Sequence, residues 1–112
     1  MRLIITGPPG AGKGTQAQMI KDAYNIPHIS TGEMFRTANK NGSKLGMLAY
    51  ERINRGELVP DDITVDLVRE RLQQDDAKQG FLLDGFPRTV AQAIAFDALM
   101  VEFNIKLDAV VN

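Results

Sequence analysis

A chain of 112 residues, 44% hydrophobic and 24% charged, has room for one globular domain and not for two ordinary ones. Its formal net charge of −1 gives no sign of a general nucleic-acid or anionic-membrane binder, so any bound anion must be gripped locally by a few placed residues. The absence of cysteine removes disulfides and thiolate metal sites and is compatible with a reducing cytoplasm.

In chain order, Arg2-Leu3-Ile4-Ile5 is a short apolar run bounded by glycine and proline and reads as a buried strand. It stops at Gly7, too early for a signal-peptide core, and no apolar run approaches the roughly 20 residues of a membrane span. A helix is predicted from Lys13 to about Tyr24, with Ala17, Ile20 and Tyr24 on one face. A second strand at Pro27 to Ser30 and a helix from Gly32 to Asn39 follow, and Asn39 to Ser43 breaks that helix. A third helix reaches about Asn54, Gly56 ends it, and Pro60-Asp61-Asp62 starts the next, carried by Ile63, Leu67, Val68 and Leu72. Gly80 to Asp84 reads as a strand, and Thr89 to Phe103 as a helix with Ala91, Ile94, Ala95, Ala98 and Leu99 facing inward. Leu107 to Val111 is a fourth strand, and an apolar strand with no helix after it is expected to leave an open edge. Apolar strands alternating with helices argue for an α/β fold with a parallel sheet covered on both faces. Two helices without a strand between them, at 32–60, are expected to project as a small helical insert.

The stretch GPPGAGKGT at 7–15 follows the phosphate-loop pattern G-x-x-x-x-G-K-[ST] except at its last position. Gly14 stands where a Mg²⁺-binding hydroxyl is expected, and Thr15 comes one residue late. Four glycines let the backbone N–H groups converge into an anion nest, the next helix adds its positive end, and Lys13 adds a compact charge. The displaced hydroxyl bears on direct Mg²⁺ coordination, not on nucleotide binding. DGFPRT at 84–89 follows the third strand, which puts Asp84 at a carboxyl end of the sheet, where ligands of open α/β folds collect. Asp84 is then either an acid that holds Mg²⁺ or its waters, or a turn cap. Arg88 beside it is an anion contact or a surface residue. Ser30 to Glu33 and Thr89 to Gln92 both fit capping boxes. Arg36 can pair with Glu33 one turn away, and His28 reads as a core or rim residue rather than a catalytic one.

Together GPPGAGKGT, STGEMFR at 30–36, GELVPD at 56–61 and DGFPRT resemble the adenylate kinase family of bacterial type, in order and spacing. The resemblance runs along all 112 residues but corresponds to about the amino-terminal half of that family. It implies a P-loop NTPase-type sheet, with a core at 1–29 and 61–112 and an AMP-binding insert at 30–60. It implies that Gly10, Ala11, Gly12, Lys13, Gly14 and Thr15 hold ATP, the family itself having Gly-Thr after the lysine. It places AMP on Thr31, Gly32, Arg36, Glu57, Leu58, Val59, Gly85, Arg88 and Gln92, with Arg36 and Arg88 on its phosphate and Gln92 on its adenine edge. Lys13, Arg36, Arg88 and Asp84 become the catalytic set, with Mg²⁺ arriving on ATP and held by Asp84 through water. The implied partners are ATP, AMP and ADP, with no nucleic acid or membrane. A monomer is implied, although the open strand edge offers a surface for pairing or aggregation. The family's lid and arginine-rich carboxyl-terminal region correspond to nothing in these residues, so binding is expected to survive better than turnover. The alternatives are a non-catalytic nucleotide-binding module and a kinase for another nucleoside monophosphate.

Overall fold

The residues at the two ends of each apolar run decide where the elements stop. The computed structural model describes residues 1–7 and 12–111. Its elements are β1 (Arg2–Ile5), α1 (Lys13–Tyr24), β2 (His28–Ser30), α2 (Thr31–Lys40), α3 (Lys44–Asn54), α4 (Asp61–Leu72), a 3₁₀ turn (Asp75–Ala77), β3 (Phe81–Asp84), α5 (Val90–Glu102) and β4 (Ala109–Val111). Each strand and α-helix lies within two residues of its expected place; the 3₁₀ turn was not predicted. Asn25 at the end of α1 takes φ 53°, the left-handed conformation that asparagine tolerates and that stops a helix. Side-chain oxygens satisfy the first N–H groups of three other helices. Ser30 accepts from Glu33 at 3.2 Å, Ser43 from Gly46 at 3.3 Å and Thr89 from Gln92 at 3.1 Å.

The four strands form one parallel sheet in the order β2-β3-β1-β4. Alternate residues face opposite sides, so the central strands β1 and β3 feed two cores. Leu3, Ile5 and Leu82 pack with Ala17 of α1 and with Ile26. Ile4, Ile29, Phe81 and Leu83 face the other way, onto Met34 of α2, Val68 and Leu72 of α4, and Phe96, Leu99 and Met100 of α5. The expected parallel sheet with helices on both faces is therefore present. β4 forms one edge, with Val110 57% exposed. Among the described residues, no helix is long and apolar enough to cross a membrane.

The predicted inward face of α5 needs correction. Gln92, Phe96, Leu99 and Met100 are buried, whereas Ile94 is 66% exposed and Ala91 and Ala98 face solvent. Most of α5 is apolar, so periodicity alone does not choose a side. Bulk does: Phe96 meets Phe86 edge to face at 5.8 Å between ring centroids, a contact no alanine can replace.

Helices α2 and α3 lie against each other and both touch α4. Their crossing leaves no room at Gly46. A Cβ there would fall 2.5 Å from Ala38 Cβ and 2.6 Å from the backbone nitrogen of Asn39. Backbone cannot rotate out of the way, so the better helix propensity of alanine is outweighed. Gly46→Ala is expected to destabilise the chain by about 1–3 kcal/mol, read as a lower urea midpoint. Buried Arg71 ties α4 to the 3₁₀ turn, donating from both terminal nitrogens to Asp76 at 2.6 and 2.9 Å.

Candidate functional site

Parallel strands end on the same side of the sheet, and three of those ends meet here. Ile5, Thr6 and Gly7 follow β1, Ser30 and Thr31 follow β2, and Asp84 and Gly85 follow β3. The connection after β1 leads to α1 on one face, and the connection after β3 leads to α5 on the other. Between them the backbone parts, which is where open α/β sheets form their ligand crevice.

A cavity of about 440 Å³ fills that crevice, lined by Lys13, Thr31, Gly32, Asp84, Gly85 and Arg88 among others. Lys13, the first residue of α1, reaches across it, and its Nζ lies 2.7 Å from Asp84 Oδ1. The α1 terminus beneath begins at Gly12, which takes φ 79°, a left-handed turn that glycine makes without strain. No side chain caps that terminus among the described residues, and no acid lies in its first turn. An uncapped, acid-free helix start with its positive dipole end suits an anion. Gly14 and Thr15 lie exposed in the first turn. Gly10 and Ala11 of the expected ATP-binding set lie outside the described residues.

A second cavity of about 360 Å³ adjoins the first, with Thr31, Gly85 and Arg88 lining both. Its walls include Phe35, Ile53, Glu57, Leu58, Val59, Asp61 and Gln92. Gly85 takes φ 83°, and a Cβ there would fall 2.8 Å from Arg88 Nη2. The bare glycine lets the guanidinium lie along the boundary of the two spaces. The structure thus brings together Lys13, Asp84, Thr31, Gly32, Gly85, Arg88, Gln92 and the segment Glu57 to Val59. Arg36 is exposed and lines neither cavity, but its Nη1 would lie 3.2 Å from a Cβ on Gly32, at the rim. Its possible pairing with Glu33 is not formed. Glu33 instead accepts from Thr37 Oγ1 at 3.2 Å and faces Arg71 at 4.0 Å.

Two residues gain roles that sequence reasoning missed. His28 is a half-buried rim residue, as expected, but its Nε2 lies 2.9 Å from Asp84 Oδ2. Asp61, read only as a helix start, accepts from Gln92 Nε2 at 2.8 Å. Neither pairing has a local signal, because the partners are far apart in the chain.

Burial raises the Asp84 carboxyl, but hydrogen bonds from Lys13 and His28, with their charges, outweigh it and hold the group below its ordinary value. A carboxyl depressed in the folded state stabilises the fold above its unfolded value near pH 4. That contribution is lost as pH falls through the lower folded value. Asp84→Asn is therefore expected to flatten the acid limb of stability below about pH 4 in denaturation curves at stepped pH. An acid limb as steep as the parent's would show that the Asp84 contacts do not stabilise the fold.

The sequence matches the family model described as adenylate kinase over residues 5–112. Similar curated proteins include adenylate kinases of Bacillus cytotoxicus at 59% identity, Geobacillus sp. (strain WCH70) at 57% and Acetivibrio thermocellus at 55%. In each case all 112 residues align and cover 52% of the relative. The expected family is thus borne out by the matches and by the parallel sheet, and the chain, spanning about half the length of the curated relatives it matches, belongs to the adenylate kinase family.

Proposed function

We propose that the two adjoining cavities are the donor and acceptor sites of an adenylate kinase core, which in the intact enzyme interconverts ATP and AMP with two ADP. The observation that carries this reading is Arg88 on the wall shared by both cavities, with Lys13 and Asp84 in one and Gln92 in the other. A hydrolase needs one phosphate grip. Two adjoining spaces with a cation at their boundary suit transfer between two nucleotides.

On this reading the α1 terminus with Gly12, Lys13, Gly14 and Thr15 holds the ATP phosphates, and Lys13 leaves Asp84 to contact them. Arg36 and Arg88 grip the AMP phosphate. Thr31, Gly32, Glu57, Leu58, Val59, Gly85 and Gln92 enclose the nucleoside, and residues 30–60 form an insert that closes over it. An AMP phosphate oxygen attacks the γ-phosphorus as the bond to the β-phosphate oxygen breaks, so each nucleotide leaves as ADP. The protein's share is positioning and charge stabilisation.

The family's Mg²⁺ suits the residues present. Asp84 is the one carboxylate lining the larger cavity, and no group of three metal-binding side chains occurs among the described residues. A single carboxylate, held through water, fits an ion that keeps most of its ligands as water and phosphate. When bound, Mg²⁺ neutralises charge on the phosphates. The displaced hydroxyl at Thr15 agrees with that arrangement.

By themselves the 112 residues are expected to bind nucleotide with much reduced turnover, in a cytoplasmic setting that the lack of cysteine accommodates. One absent arginine on the transferring group costs about 10³ to 10⁵ in rate. A coupled assay of ADP formation, with AMP, GMP, CMP and UMP as acceptors, tests this. The expected result is a preference for AMP at a rate at least about 10³ below that of full-length relatives. Equal use of all four acceptors would contradict the adenine reading, and a rate near that of the relatives would contradict the loss of turnover.

A further inference from the structure

Gln92 is buried at 7% exposure, yet it lines the smaller cavity. Its side-chain amide is held at both ends. Oε1 accepts from the backbone N–H of Arg88 at 2.7 Å, and Nε2 donates to Asp61 Oδ1 at 2.8 Å. The other oxygen of Asp61 accepts from Thr89 Oγ1 at 3.2 Å, and Thr89 in turn accepts from the Gln92 backbone at 3.1 Å. Asp61, Thr89 and Gln92 thus close a ring between the start of α4 and the start of α5.

The chemistry of this ring leaves one orientation for the amide. A carboxylate only accepts and a backbone N–H only donates. Turning the amide over would set its NH₂ against the Arg88 N–H and its oxygen against the Asp61 carboxylate. Asp61 is also the first residue of α4, so the ring is anchored at the start of that helix. An amide carries two N–H groups and two oxygen lone pairs, so one of each is left after these contacts.

We infer that Asp61 is a positioning residue that fixes the Gln92 amide and thereby sets the choice between 6-amino and 6-oxo purines in the smaller cavity. The inference rests on the reading of that cavity as the acceptor-nucleotide site. Adenine presents a donor at its 6-amino group beside an acceptor at N1. A 6-oxo purine presents an acceptor beside a donor. An amide held in one orientation satisfies both groups of only one of these edges, and leaves the other with two mismatched buried groups. Discrimination therefore depends on Asp61, which is not asked to touch the base.

The test compares AMP with inosine 5′-monophosphate, whose one change of substituent, at the 6-position, reverses the donor and acceptor order at that position and at N1. Calorimetric titrations would use the 112-residue chain, Asp61→Ala and Asp61→Asn, with ATP as the second ligand. The parent is expected to prefer AMP, and Asp61→Ala to lose about tenfold of that preference while ATP affinity stays as in the parent. Asp61→Asn is expected to retain the preference, because its Oδ1 accepts from Gln92 and its Nδ2 donates to Thr89. An unchanged preference in Asp61→Ala would overturn the inference, and so would a parallel loss for AMP, the 6-oxo analogue and ATP. Relaxation of the Gln92 side-chain ¹⁵N amide, measured without nucleotide, should show a rigid group in the parent and a mobile one in Asp61→Ala. A parent that binds no AMP overturns the acceptor-site reading and the base choice with it, whereas an equally rigid amide in Asp61→Ala overturns the positioning itself.

Discussion

Lys13→Ala is expected to weaken ATP binding by at least about 100-fold. The lost charge-assisted hydrogen bond to phosphate accounts for about 1.5–3 kcal/mol of this. The remainder comes from Asp84, whose Oδ1 sits 2.7 Å from Lys13 Nζ and whose charge no lysine offsets in the variant. A carboxylate left facing a phosphate at about 4 Å repels it by roughly 4 kcal/mol at an effective dielectric of 20. Without Mg²⁺, which Asp84 would otherwise hold, the double variant Lys13→Ala/Asp84→Asn removes the stranded charge as well and is therefore expected to bind ATP better than Lys13→Ala alone. Calorimetry on the three chains reads both effects. Wild-type affinity in Lys13→Ala would remove the lysine from the phosphate site, and no recovery in the double variant would place Asp84 away from the phosphates.

Arg88→Ala is expected to lower AMP affinity by about 10- to 150-fold, the loss of a hydrogen bond to a charged group of about 1.5–3 kcal/mol. ATP affinity should change far less, because Lys13 and the α1 terminus remain. Arg88→Lys keeps the charge but not the planar fork, so it should recover only part of the loss. The same guanidinium lies where a Cβ on Gly85 would come within 2.8 Å of Nη2. Titration of AMP and ATP into both Arg88 variants separates the outcomes, and an equal loss for the two nucleotides would mean that Arg88 supports the fold rather than the acceptor site.

The sheet and its helices were legible because burial imposes periodicity. Phe81, Leu82 and Leu83 are fully buried and read as an uninterrupted apolar strand, and Ser30, Ser43 and Thr89 announce helix starts by the oxygen they offer. The face of α5 was not legible, since a helix with apolar residues on all sides offers no contrast. The strand order β2-β3-β1-β4 was not predicted either, because pairing depends on contacts that no local pattern encodes. The walls of the site follow the same division. Lys13, Asp84 and Arg88 flank or stand in the glycine-bearing connections that follow strands, a position that marks them as ligand-facing. His28 and Asp61 carry no such mark and gain their roles from partners brought close by the fold. The family resemblance implied Arg36 on the AMP phosphate; it stands exposed at the rim and lines neither cavity.

The most direct measurement is an AMP titration into the chain saturated with a non-hydrolysable ATP analogue and Mg²⁺. Two adjoining sites predict a ternary complex, with AMP binding in the presence of the analogue, Arg88→Ala weakening AMP, and Lys13→Ala weakening the analogue. Displacement of the analogue by AMP, one nucleotide per chain throughout, would contradict the account.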